Sequence, residues 1–123
     1  MSGQAEISVL EKYVLINVTG DPLLPDEIAS TLMEAAAKAV QLKSSILIFR
    51  DMPVRQQAST IDFYHYAESL RSSPFRGKLA LAFPKEMHTD NLDFFETAAI
   101  NRGINVKIFS TKEEAHKWIS SDS

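Results

Sequence analysis

Ile46-Leu47-Ile48-Phe49 is an unbroken apolar run, closed by Arg50-Asp51-Met52-Pro53. A half-exposed strand alternates apolar with polar residues, whereas a short continuous run marks a strand covered on both faces, as in the middle of a parallel sheet. Parallel neighbours require crossovers, so a helix is expected on each side of the run. Upstream, Pro25-Asp26-Glu27 supplies a preset φ and acidic residues suited to a first turn. Leu24, Ile28, Leu32, Ala35, Ala39 and Leu42 then fall on one stripe at about 100° per residue, with Ala36 and Ala37 widening it. This predicts a helix to about Leu42. Downstream, Ser59-Thr60-Ile61-Asp62 resembles a capping box with Asp in place of Glu, and the helix it opens stops near Pro74 or Gly77.

Further out, Ile7 and Val9, then Val14, Ile16 and Val18, alternate about Glu11-Lys12, which reads as a hairpin ended by Gly20-Asp21-Pro22. Leu79 to Phe83, closed by Pro84, and Ile104 to Phe109 read as two more strands. Between them a helix opens at Thr89, Asp90 or Asn91, carries Leu92, Phe95, Ala98 and Ala99, and ends at Gly103 in a left-handed position. Phe94 and Ile100 lie off that stripe, implying packing on more than one side. Thr111-Lys112-Glu113-Glu114 is a capping box for a last helix, with Ala115, Trp118 and Ile119 on one face and Trp118 anchoring it to the sheet. The order β-β-α-β-α-β-α-β-α predicts an α/β fold: a single layered domain over residues 1–123, ordered from about 5 to 120. Its five-stranded mixed sheet has an N-terminal antiparallel hairpin, then β-α-β units, and is flanked by four helices.

The chain has 123 residues, 45% of them apolar, enough for a single core without staples. It contains no cysteine, which excludes thiolate nucleophiles, thiolate zinc sites and disulfides. A net charge of −3 and a pI of about 5.6 provide no basic face for nucleic acid. No segment is apolar over a membrane's thickness and the first residues lack a secretory pattern, so a cytoplasmic location is expected. The four glycines are far apart, so neither a P-loop nor a dinucleotide fingerprint can be written. His65, His88 and His116 lack the spacing that pairs two ligands on a helix face, and no nucleophile elbow precedes a helix. No catalytic residue, metal or cofactor is assigned.

Two regions carry the functional reading. Open α/β sheets bind ligands beyond the carboxyl ends of their strands, which makes Arg50, Asp51 and Arg55 candidate ligand-binding residues. Lys78, Lys85 and Arg102 could join them around an anion beside the helix start near Ser59; against this stands a solvated loop in which Asp51 bonds backbone amides. A phosphoacceptor role for Asp51 lacks the acidic pair and lysine it needs, since Thr19-Gly20-Asp21 and Lys85 do not supply them. An enzyme using Asp51 with His65 or His88 would require these side chains to converge in one concavity. The second region is Phe63-Tyr64-His65-Tyr66, four residues that point around a whole helix and cannot all be buried. A core stripe through Phe63, Ala67 and Leu70, with Tyr66 on its flank, leaves Ile61, Tyr64, His65 and Glu68 outward. They form either a partner surface, most simply that of a homodimer, or a patch covered by the chain itself.

The element order, the run from Phe95 to Phe109 and the words Glu114-Ala115-His116-Lys117-Trp118-Ile119 resemble the SpoIIAA-like family, small bacterial proteins related to STAS domains and to the CRAL-TRIO lipid-binding fold. The layout matches over nearly the whole chain, the words over its last third. The resemblance implies a mixed five-stranded sheet, no known catalytic activity for most members, and a regulatory role or the binding of a protein or small apolar ligand. In anti-sigma factor antagonists of the wider group, a serine at the start of the helix after a central strand is phosphorylated. Ser59 and Thr60 occupy the analogous helix start, as phosphoacceptor candidates, although an Asp-Ser-Ser-Gly-type motif is absent and the polar loop from Met52 to Ala58 is longer. The lipid-binding relatives bury an apolar ligand between sheet and helices, for which this chain has less material.

Overall fold

A computed structural model describes residues 3–53 and 59–121. The strands are β1 (Gln4–Val9), β2 (Tyr13–Thr19), β3 (Ser45–Arg50), β4 (Lys78–Ala82) and β5 (Asn105–Phe109). The helices are α1 (Pro25–Leu42), α2 (Thr60–Ser72), α3 (Asp90–Asn101) and α4 (Lys112–Ser120), with an unanticipated 3-10 turn at Lys85–Met87. The five strands form one sheet in the order β1-β2-β3-β4-β5; β1 pairs antiparallel with β2, and every later pair is parallel. The predicted α/β fold, with its opening hairpin and four helices, is the observed one.

Because each parallel strand is added on the same side of the last, crossovers of one hand deliver α1, α2 and α3 to the same face of the sheet. Register then builds the core in rows. Ile7, Ile16, Ile48, Leu81 and Ile108 pair in sequence across all five strands and all belong to the main cluster with those helices. The alternate residues face the other way, where Tyr13, Leu47, Ala80 and Ala82 are buried with Ala115 and Ile119 of α4. Ala80 and Ala115 are both fully buried, so small side chains on both surfaces let this short helix lie close to the sheet.

Local chemistry sets the element ends. Ser59 caps α2: its hydroxyl accepts the Asp62 N–H (3.2 Å), while the Asp62 carboxylate accepts the Ser59 N–H (2.8 Å). Thr89 and Thr111 accept the Leu92 and Glu114 N–H groups at the starts of α3 and α4. Glu27 reaches back to the Leu24 N–H at the start of α1. Gly103 follows α3 at φ 85°, the left-handed position its place in the sequence predicts. Gly77 is needed for a different reason: an added Cβ would stand 2.4 Å from the Ser44 carbonyl oxygen.

Two burial expectations are corrected. Leu24, the residue before α1, and Leu42, its last, are 57% and 51% exposed; the buried residues of α1 run only from Leu32 to Ala39. Phe94 and Ile100 are 38% and 52% exposed: α3 is flanked by both α2 and β5, as expected, but these two side chains face neither. Trp118 does anchor α4, its ring 5.6 Å from that of Phe109 with the Lys78 ammonium 5.3 Å above it.

Candidate functional site

The alternation of β3 carries one charged residue to the helix-covered face. Ile46 and Ile48 point toward α1–α3, and Arg50, two residues on, takes the same side opposite Val18. Its side chain is therefore drawn inward at the carboxyl end of a central strand and is 4% exposed, the one charged residue in the described core.

Arg50 stands at the edge of an apolar cavity of about 110 Å³. The sheet supplies its floor through Ile16, Val18, Ile48 and Leu81, extended by Phe83 just after β4. The N-terminal halves of the helices form its walls, with Ile28 and Leu32 from α1, Phe63 and Tyr66 from α2, and Leu92 and Phe95 from α3. Pro22, Leu23 and Met87 complete the rim. Among the described residues, Thr31, Arg50 and Tyr66 are the only lining residues with polar side-chain atoms. The Tyr66 hydroxyl donates to the Pro25 carbonyl at 3.3 Å. Burial, followed by the nearby Asp62 and Asp26 carboxylates, pushes its pKa up to about 12.

The Arg50 guanidinium is held in place by backbone: Nε donates to the Met52 carbonyl (3.0 Å) and Nη2 to the Gly20 carbonyl. Burial lowers its pKa, while the Asp21 charge acts in the opposite direction. Backbone carbonyls fix the direction of a guanidinium without neutralising it, so the cavity has an oriented cation at one end and hydrocarbon at the other.

The other predicted site residues do not gather here. Asp51 is exposed just beyond β3 and, among the described residues, has no hydrogen-bond partner; the loop whose amides it was expected to bond lies mostly outside the described residues. Arg55 lies outside the described residues. Lys78 begins β4 at the opposite end of the sheet, where its ammonium donates to the Trp118 and Ser121 carbonyls and the Ser121 hydroxyl. Arg102 is also at that end, paired with Glu68 and donating to the Ala98 carbonyl. The anion cluster of five basic residues is thus corrected, since Lys78 and Arg102 point their charges elsewhere. His88 is exposed with Nε2 3.0 Å from the Phe83 carbonyl, and His65 projects from the outer face of α2. Among the described residues no group of His, Asp and Glu is placed to hold a metal.

The α2 face follows its expected division. Phe63, Tyr66, Ala67 and Leu70 are buried, whereas Ile61 is 66% and Tyr64 42% exposed. The outward group is nonetheless partly engaged by α3. The Arg102 guanidinium lies 4.6 Å from the Tyr64 ring centre, and its hydrogen bond to Glu68 lowers that carboxyl's pKa. Ser59 and Thr60 are exposed, with Ser59 committed to Asp62 and the Thr60 hydroxyl donating to Asn91 Oδ1 at 2.9 Å.

The cavity was the feature missed in the sequence. Its signal was a parity: Arg50 shares the phase of Ile46 and Ile48, which places a cation on an apolar inner face. No helix among the described residues is long and apolar enough to cross a membrane. Comparison of the chain with family models, with curated proteins and with solved structures finds no match.

Proposed function

We propose that this is a non-enzymatic, SpoIIAA-like binding domain that takes a small apolar ligand between its sheet and its first three helices, and that ligand occupancy is what it communicates to other proteins. The apolar cavity at the carboxyl ends of β2–β4 carries this reading: an open concavity at that end of a parallel sheet is where α/β domains place ligands. Titration of labelled protein with toluene, followed by amide chemical shifts, tests it. Saturable shifts are expected at residues flanking Ile48, Leu81 and Phe95, and Ile48→Phe, which fills the floor, should abolish them while leaving the fold intact. Shifts absent in the wild type, or scattered over the surface, would refute the reading.

A second reading, self-association through α2, is favoured by one observation. Ile61 and Tyr64 remain exposed on a helix whose other face is fully used, and Phe94 is exposed on the adjoining α3. A two-fold dimer on this face should have twice the monomer mass in light scattering, and Ile61→Asp should return it to the monomer. A monomeric wild type at high concentration would end this reading without touching the first.

A further inference from the structure

The ligand class can be narrowed beyond "small and apolar", on the premise that the cavity is a ligand site. We propose that its occupant is a ring-sized or short branched monocarboxylate, the hydrocarbon lodged against Ile48, Leu81 and Phe95 and the carboxylate received by the guanidinium of Arg50.

Size is the first argument. The cavity measures about 110 Å³, comparable with the roughly 150 Å³ apolar cavity that accommodates a single benzene ring. A long acyl chain does not fit within it, whereas one ring or a branched chain of a few carbons does.

Charge is the second. Among the described residues Arg50 is the only charged one in the lining, and it is 4% exposed. An arginine has five N–H donors in a planar fork; two of them are spent on the Met52 and Gly20 carbonyls. Those bonds come from loop backbone and hold the fork at the cavity edge without cancelling its charge. A cation withdrawn from water beside hydrocarbon selects a ligand with the complementary division, an apolar body and an anionic end. A neutral hydrocarbon would fill the same space but leave the guanidinium uncompensated by the ligand. Thr31 and Tyr66, the other polar lining residues among those described, are uncharged and contribute at most hydrogen bonds to the same head group. Asp21, exposed on the segment after β2, already acts on the Arg50 charge, so it competes with the ligand's carboxylate.

Benzoate and benzamide share a shape and differ in charge, which makes them the discriminating probes, with toluene and palmitate as controls in the same calorimetric titrations. In the wild type, benzoate should bind at least about tenfold more tightly than benzamide, and palmitate should bind more weakly than benzoate. Arg50→Gln should erase the preference for benzoate while preserving toluene binding. Asp21→Asn, a surface change that leaves the Arg50 anchors in place, should increase the preference several-fold, and it provides the test if Arg50→Gln fails to fold. Equal affinities for benzoate and benzamide, with toluene still bound, would overturn the carboxylate assignment and leave the cavity reading standing. Tighter binding of palmitate would overturn the size assignment. If none of the probes bound, the cavity reading would fail together with this one.

Discussion

Arg50 and Tyr66 show how one residue's setting decides its chemistry. Both are long, both line the same apolar space, and both are almost fully removed from solvent. Arg50 stays tied to loop carbonyls, while Tyr66 is a neutral phenol whose ionisation burial opposes. The sign of the pH effect follows. The folded-state pKa of Tyr66, about 12, lies above its ordinary value of 10.0. Its stabilising contribution is therefore complete below pH 10 and is lost as pH rises from 10 to 12. Tyr66→Phe should cost less than about 1 kcal/mol at neutral pH, since it surrenders one long hydrogen bond. It should also make the fall in urea midpoint above pH 10 shallower than in the wild type. Identical alkaline profiles would mean that another group causes the loss.

At the scale of elements, α2 does the most varied work. Its inner stripe closes the core, its first two turns wall the cavity, and its outer face is exposed. The helix is short, so the Ser59–Asp62 cap carries weight in fixing where it starts. Ser59→Ala should destabilise the domain by about 1 kcal/mol, read as a lower thermal midpoint. It should also weaken toluene binding, because Phe63 and Tyr66 lie within the first two turns after the cap. An unchanged midpoint would show that packing alone sets the start of α2. The same cap bears on phosphorylation: a phosphate on Ser59 would stand beside the Asp62 carboxylate that now bonds its hydroxyl, so modification would loosen this end of the helix.

At the scale of the whole molecule, the uniform advance from β1 to β5 divides the helices three to one. The three-helix face is thick enough to enclose a cavity; the other depends on α4 alone. Ala80→Leu, on the face beneath α4, should therefore cost roughly 1–3 kcal/mol by forcing that helix away from the sheet. The main core should stay intact, so toluene binding should persist in the destabilised variant. Loss of stability together with loss of toluene binding would show that the two faces are not independent.

The existence, type and order of the elements were legible in the chain because they rest on local physics. The run Ile46–Phe49 has the composition of a strand covered twice, Pro25 and the Ser59–Asp62 box suit helix starts, and Gly103 tolerates the left-handed turn that ends one. The outward Ile61 and Tyr64 were legible for the same reason, since four consecutive aromatic and histidine residues cannot share one helix face. The order of the strands was not, because nothing within a strand says which neighbour it pairs with. Once that order sends three crossovers to one face, the carboxyl ends of β2–β4 and the N-terminal halves of α1, α2 and α3 meet around a common space, and Arg50 is turned into it. A cavity is the volume that separate segments leave unfilled when they pack, so it belongs to no stretch of sequence and comes into being only with the tertiary structure.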